Sequence, residues 1–299
     1  MSRHFLALLA LLALLNSGAH GLATLQIRKI ATVAKKTSIV LPKATDGGTG
    51  VVLSAKLISR RSLLAVAPTV AALSVAQAAQ AAAPQKKVVV FGGAGYVGSH
   101  VQQLLAKEEG VTVVSVSRSS ADAQAAKTAK ILGTPVAGVS YESLDASSAD
   151  LASVLAGATA VISCVGALPG SKEQRNGNGA VNVRLAEAAK AAGVPRLVYI
   201  SVGSAIANGP GKFLFGEYVK GKAEAEAAVS SGFGAANALV IKPDIIAGGP
   251  PGELRPPGPP GVPAVSVEAV ASAAVAGALG RTSGVVDGAM AIEKAGDAA

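Results

Sequence analysis

Three features of this 299-residue sequence predict an α/β fold: a doubly wound parallel sheet with a reduced C-terminal lobe. From residue 86 onward, short β-branched runs alternate with Ala-rich stretches of helical composition, the pattern of βαβ units and a parallel sheet. The first run ends in a cluster of glycines that opens a helix. The N-terminal 84 residues share neither property and differ sharply in charge.

The elements follow in order. Lys87–Phe91 (KVVVF) is continuous and β-branched, so it reads as a strand buried on both faces. Gly92-Gly93-Ala94-Gly95 turns the chain, and Tyr96–Ala106 reads as a helix. Val111–Val116 is a second buried strand, and Val136–Val139 a weaker third. A short helix near Ala149–Leu155 precedes a fourth strand, Ala158–Cys164. Asn182–Ala192 is helical by composition and stops at Gly193, a good C-cap residue. Arg196–Ser201 is the fifth strand, and Tyr218–Val229 is a helix rich in Ala, Lys and Glu. Leu239–Lys242 is the sixth strand, ended by Pro243. Residues 249–263 (GPPGELRPPGPPGVP) hold more proline than a helix interior tolerates, so they read as a linker. Val265–Leu279 resumes a helix, Gly284–Ile292 reads as a last short strand, and Ala295–Ala299 as a frayed end.

Composition excludes several functions. Half of the residues are hydrophobic but only 3% are aromatic, with no Trp. The core must come from Ala, Val, Leu and Ile, and a stacking platform for single-stranded nucleic acid is not available. The net charge is +9. Residues 1–84 carry nine Lys and Arg and one acid, Asp46, while the rest carries 18 basic and 17 acidic residues. The body is close to neutral, so no nucleic-acid partner is expected. One cysteine, Cys164, excludes an intrachain disulfide framework. Three histidines, His4, His20 and His100, do not make a zinc site, and no metal is expected. Cys164 itself reads as a buried thiol that packs at a strand end, with a redox sensor as the alternative.

The first 84 residues read as a targeting presequence. Arg3 and His4 precede the apolar run Phe5–Leu15 and then small residues, the layout of a secretory signal. Residues 21–61 are basic and contain Ser and Thr, like an organelle transit peptide. Arg60-Arg61 then precede the uncharged stretch Ser62–Ala83, which resembles a twin-arginine export signal. Together they point to a plastid, stroma or thylakoid, with a mitochondrion as the alternative. The expected organisation is a presequence over 1–84, a nucleotide-binding domain over 85–248, a linker over 249–263, and a helix and strand over 264–299 that complete the domain.

The glycines carry the strongest chemistry. Gly92, Gly95 and Gly98 form G-x-x-G-x-x-G, with Gly93 as an extra, between a strand and a helix. Gly92 permits the tight turn, Gly95 lets backbone approach a pyrophosphate, and Gly98 lets the helix sit close to the sheet. The helix N-terminus then offers free N–H groups to the anion. This is a Rossmann-type dinucleotide site lined by Gly92, Gly93, Ala94, Gly95, Tyr96, Val97 and Gly98. An NAD site places an acid about 20 residues further on. Here Arg118 stands at that position, flanked by Ser117 and Ser119, and no acid occurs between Val111 and Ala121. A guanidinium suits a ribose 2′-phosphate, so NADP(H) is favoured over NAD(H).

The segments VVVFGGAGYVGSHV, VVSVSRSS, AVISCVGALPG, VNVRLAEAAKAAGVPRLVYIS, the Tyr218–Lys222 block and VIKPDIIAGG resemble, in that order, the atypical short-chain dehydrogenase/reductase superfamily. More narrowly, they resemble the branch with the Rossmann-type accessory subunit of respiratory complex I, plastoglobule-type plastid proteins and coenzyme-Q-biosynthesis subunits. The resemblance spans about residues 86–292. It implies that Asp145 meets the adenine amino group, that Val165 and Gly166 turn beside the nicotinamide ribose, and that Asn182 belongs to the site. It also implies Ser201 as the hydroxyl that polarises substrate.

Tyr218 and Lys222 form Y-x-x-x-K, which puts both on one helix face. With a nearby ammonium lowering its pKa, Tyr218 would exchange a proton with a carbonyl or hydroxyl during hydride transfer, while Lys222 would also bind ribose. The expected function is therefore an oxidoreductase on a carbonyl or quinone-type substrate. The alternative is a non-catalytic NAD(P)-binding subunit of an organellar membrane complex or a lipid- or quinone-associated assembly. Two departures favour the alternative: Asp244 stands where the family has Gly, and the linker leaves few residues for a substrate lobe.

Overall fold

The computed structural model describes residues 85–169, 171–209, 212, 215–252 and 261–299. Residues 1–84, expected to be a presequence, and residues 253–260 of the Pro/Gly stretch lie outside the described residues. Seven parallel strands form the main sheet. β1 (Lys86–Phe91), β2 (Val111–Ser117), β3 (Val139–Ser143), β4 (Ala158–Ser163), β5 (Leu197–Ile200), β6 (Ala238–Lys242) and β9 (Gly284–Asp287) run in the order β3-β2-β1-β4-β5-β6-β9. This is the Rossmann order with one strand added at the edge. The order reverses between β1 and β4, where chains leaving adjacent strands diverge and a crevice opens at their carboxyl ends.

Strand alternation builds two cores. In β1, Val88 and Val90 enter one and Val89 and Phe91 the other, all fully buried. Each such side chain contributes roughly 1.5–3 kcal/mol of burial, which explains why β1 is continuously apolar. On one face lie α1 (Tyr96–Leu105), α2 (Ala121–Leu132), α8 (Val267–Ala278) and α9 (Ala289–Gly296). On the other lie α3 (Ala152–Leu155), α5 (Ala180–Ala191) and α7 (Gly216–Asn237). The short α4 (Gln174–Asn178) and α6 (Ser204–Asn208) follow β4 and β5. The scarcity of aromatics is met by close approach: a Cβ on Gly277 of α8 would lie 2.5 Å from Leu239 Cδ2 and 2.9 Å from Val198 Cγ2.

Several elements differ from the expected bounds. The third strand is Val139–Ser143, not Val136–Val139. Gly138, at φ 78°, turns the chain into it. As an edge strand it exposes alternate polar residues, which hides it from an apolar scan. Helix α2 was not anticipated. The helix expected over Tyr218–Val229 runs over Gly216–Asn237, with Gly234 at φ 67° breaking its last turns. The last strand stops at Asp287 because Gly288 turns at φ 81°, and residues expected as strand and frayed end form α9 instead. Flanking the linker, β7 (Ile245–Ile246) and β8 (Ala264–Val265) pair in parallel.

Helix α9 is part of the core, since Ile292 is fully buried against the face that also holds Val270 and Ala274. Ile292→Ala should therefore cost about 2–4 kcal/mol in a urea titration. A loss under about 0.5 kcal/mol, typical of a surface site, would contradict this packing.

Candidate dinucleotide site

A cavity of about 510 Å³ opens at the β1/β4 reversal, within the range of about 300–1,000 Å³ usual for ligand pockets. Its wall is built from the residues that follow four strands. Gly92, Ala94 and Gly95 come after β1, Ser117, Arg118 and Ser119 from the end of β2, Asp145–Ser147 after β3, and Cys164–Ala167 after β4. The topology brings together the glycine loop, the cation and the turns that the sequence placed up to 75 positions apart, from Gly92 to Ala167.

The glycine roles separate. Gly92 takes φ 73° and accepts a bond from Gly95 N at 2.9 Å, which closes the turn. Gly95 is the N-cap of α1, and neither a side-chain cap nor an acid serves that end. Gly93 and Gly98 face inward. A Cβ on Gly98 would overlap Gly92 O and lie 2.7 Å from Gly93 Cα, and one on Gly93 would overlap Ser115 Oγ. These two let α1 lie on the sheet rather than line the cavity. Tyr96 turns away too: its hydroxyl donates to Ala247 O at 3.1 Å, pinning the segment after β7. Val97 packs against the core.

At the end of β2, the Ser117 hydroxyl accepts from Ala94 N at 3.3 Å and ties this strand to the glycine loop. Arg118 and Ser119 are exposed on the rim. Lys127 of α2 joins them, a residue the sequence analysis missed. Among the described residues, neither Arg118 nor Lys127 is in an ion pair. Asp145 lines the cavity, with Oδ1 accepting from Ser147 N at 2.9 Å and Ser147 Oγ at 2.7 Å; these bonds hold its carboxyl below the usual range.

Asn182 acts one step behind the cavity. It is buried, its Oδ1 accepts from Ser163 Oγ at 2.5 Å, and its Nδ2 donates to Val165 O at 3.2 Å. Its amide is engaged by protein, so it shapes the Val165–Ala167 turn and does not line the wall. Asn178, also missed, completes this: Nδ2 donates to Ala167 O at 2.9 Å and Oδ1 accepts from Ala167 N at 3.3 Å. Arg175 fixes α4 on α7 by donating to Glu217 at 2.7 Å and Glu224 at 2.5 Å. The Arg175 bond, with help from Lys220, holds the Glu217 carboxyl down to about 2.

Of the expected catalytic residues, Lys222 lies beneath that turn, and neither it nor Tyr218 nor Ser201 lines the cavity. Lys222 Nζ donates to Ile200 O at 2.8 Å, and a Cβ on Gly166 would lie 3.6 Å from it. The ammonium also lies 5.0 Å from the centroid of the Tyr199 ring and 5.8 Å from that of Tyr218. Burial pushes Lys222 down to about 8. The expectation of a lowered Tyr218 pKa does not hold: burial pushes the phenol up to about 12. Desolvation is the cause that raises it, with no lowering by the Lys222 charge. Burial likewise pushes the Cys164 thiol up to about 12. The buried Ser201 hydroxyl donates to Glu226 Oε1, while Glu226 Oε2 pairs with Lys242 at 2.9 Å. Asp244 Oδ1 accepts from Ile206 N at 3.3 Å at the start of α6.

The cradle fits a dinucleotide: a Cβ on Gly92 would lie 2.9 Å from the Cys164 carbonyl, so its absence lets the glycine loop and the turn after β4 close together around the cavity, and the uncapped helix end and the cations on the rim suit phosphates.

Residues 92–279 match the protein-family model described as NAD(P)H-binding. An uncharacterised chloroplastic protein of Arabidopsis thaliana is 34% identical over 163 residues, 54% of this chain and 51% of the relative, so the match spans about half of that relative's length. Three solved structures share the fold. One is the oxidoreductase ylbE of Lactococcus lactis (TM-score 0.51, 18% identity, 71% of this chain and 95% of the other). Another is a UDP-N-acetylglucosamine 4-epimerase of Methanobrevibacter ruminantium (0.54, 18%, 69% and 77%). The third is a putative NAD-dependent epimerase/dehydratase of Bacillus halodurans (0.51, 14%, 71% and 99%).

Two outcomes are expected. Gly95→Val should fold, because φ −83° suits any residue and a Cβ there, 3.0 Å from Gly92 O, asks the turn to yield by only a few tenths of an ångström, yet lose dinucleotide binding in calorimetry. Gly98→Val should fail to fold, because its Cβ overlaps backbone. Retained binding by the first or a folded second variant would contradict these roles. Because the folded pKa of Lys222 is depressed, the unfolded chain binds the extra proton between about 8 and the ordinary lysine value. The Lys222 contribution to stability therefore rises with pH across that window. The stability difference between Lys222→Met and wild type, measured by denaturant titration, should shift toward wild type from pH 8 to 10. A pH-independent difference would contradict the depressed pKa.

Proposed function

Because the chain belongs to the NAD(P)H-binding family, we propose that it is an NADP(H)-dependent oxidoreductase of the short-chain dehydrogenase/reductase type. Its substrate is a carbonyl or quinone-type compound, and its compartment is a plastid. The observation that carries the cofactor choice is the pair of free cations, Arg118 and Lys127, on the cavity wall. Two cations complement a 2′-phosphate, whereas the 2′-hydroxyl of NAD(H) calls for an acid at the end of β2, and none stands there. The plastid reading rests on the basic N-terminal segment and on the chloroplastic relative.

The bound nicotinamide supplies or accepts hydride. Gly92 and Gly95 hold the pyrophosphate, Arg118 and Lys127 the 2′-phosphate, and Asp145 the adenine edge. Lys222, against Gly166, serves the ribose. Tyr218 is a neutral phenol at physiological pH, as any phenol is at its ordinary value, and burial pushes it further up, to about 12. As the neutral phenol it would donate a proton to the alkoxide formed by hydride addition, and its phenolate would take that proton back in the reverse direction.

A second reading has its own support. The Ser201 hydroxyl donates to Glu226, and this occupies the group that would polarise a carbonyl. That favours a non-catalytic NAD(P)-binding subunit of an organellar membrane complex or quinone-associated assembly.

Calorimetry should show NADPH binding more tightly than NADH, and Arg118→Asp should invert the order; equal wild-type affinities would reject the cofactor assignment. In an NADPH-oxidation screen with quinones and aldehydes, Tyr218→Phe should lower any turnover by about 10²–10⁴-fold with cofactor affinity nearly unchanged. A Tyr218→Phe enzyme as fast as wild type would remove Tyr218 from the mechanism. No turnover, together with a melting temperature raised by NADP(H), would favour the binding subunit. In import assays the full chain should enter chloroplasts and be shortened; entry into mitochondria alone would overturn the plastid assignment.

A further inference from the structure

We infer that Gln124 is a positioning residue for recognition of the 2′-phosphate: its buried amide fixes the loop that carries Arg118. The inference rests on the NADP(H) reading above. Gln124 lies on α2 and is fully buried. A buried side-chain amide must find its partners inside the protein, and the choice of partners fixes what it holds. Gln124 Nε2 donates to Ser119 O at 2.9 Å and to Glu142 O at 2.8 Å, with Ser117 O at 3.4 Å. Its Oε1 accepts from Ser115 Oγ at 3.3 Å. One amide thus joins the carbonyl directly after Arg118 to a carbonyl of β3, and is itself oriented by mid-β2.

The backbone around Arg118 is held from both sides. Leu144 N donates to Ser117 O at 2.9 Å, and Ser143 Oγ to Arg118 O at 3.4 Å. The guanidinium itself stays on the exposed rim of the cavity. A fixed backbone under a free cationic head loses less entropy on binding an anion than a loose loop would. Gln124 also anchors the helix that carries Lys127, which lies three residues further along α2 and is exposed at the cavity. It therefore acts on both cations without touching the ligand.

Gln102 offers an internal comparison. It is fully buried on α1, and its Nε2 donates to Gly93 O at 2.8 Å and to Thr128 Oγ1 at 3.1 Å. It holds the glycine loop, which faces the pyrophosphate that every nicotinamide dinucleotide has. Disturbing Gln102 should weaken nucleotides with and without a 2′-phosphate alike; disturbing Gln124 should weaken only the former.

The test uses the full chain and two probes, 2′,5′-ADP, which has the 2′-phosphate, and 5′-AMP, which lacks it. Gln124→Met keeps the length of the side chain and removes the amide. By calorimetry its affinity for 2′,5′-ADP should fall about tenfold, the scale of one hydrogen bond to a charged group, and that for 5′-AMP less than about threefold. Unchanged discrimination in a folded variant, or an equal loss for both probes, overturns the inference. If Gln124→Met does not fold, Ser115→Ala decides. Freed of its anchor, the amide should hold the loop less well and discrimination should fall about threefold; unchanged discrimination overturns the inference. Equal wild-type affinities for the two probes would overturn the NADP(H) reading and this inference with it. Wild-type preference retained in full by Gln124→Met would overturn this inference alone.

Discussion

The close approach of α1 to the carboxyl end of β1 is the constraint on which the site depends. Gly98 sits against Gly92 and Gly93 with no room for a Cβ. That contact fixes where the helix begins, and so where its uncapped N–H groups point. Move the helix outward by the width of a methyl group and the loop at Gly95 no longer presents backbone to a phosphate. Gly93 applies the same constraint laterally, because its missing Cβ admits Ser115 Oγ of β2. The loop is therefore seated on two strands at once, with Ala94 N held by Ser117.

The opposite wall depends on asparagines packed against glycines: a Cβ on Gly166 would lie 2.9 Å from Asn178 Oδ1. Asn178 and Asn182 bond to the backbone of the Val165–Ala167 turn from below. Their partners are internal, which is why a polar pair can be buried without penalty. Arg175 then locks the short α4, which carries Asn178, to α7, which carries Tyr218 and Lys222. The cavity wall and helix α7 are thus joined through one guanidinium. Lys222 meets the same turn from beneath, against Gly166.

What could be read from the sequence was whatever apolar periodicity encodes. Strands buried on both faces, such as KVVVF and VTVVSV, are continuous runs and were visible. So was the glycine loop, because its function requires glycine at fixed spacing between a strand and a helix. Helix α2 was invisible for a physical reason: its buried residues are Gln124 and Thr128, and a polar inner face has no hydrophobic stripe. The same polar layer carries Lys127 and holds Arg118. Strand β3 was displaced because an edge strand shows its polar alternate residues to water. GVVDGAMAI reads as one apolar run, but Gly288 divides it into strand and helix. Y-x-x-x-K gave the right helix face and the wrong electrostatics, because spacing does not reveal burial.

That last point bears on chemistry. An i, i+4 pair ensures proximity of side chains, not of the groups that titrate. Lys222 donates to Ile200 O and lies over two aromatic faces, so its charge is spent on a carbonyl and on ring electrons. The Tyr218 hydroxyl receives little of that field, and desolvation sets its pKa. Tyr218 itself is only partly buried, and what raises its pKa is desolvation, with no compensating charge. The spacing of two side chains along a helix therefore does not set the acidity of either; the surroundings of each titrating group do.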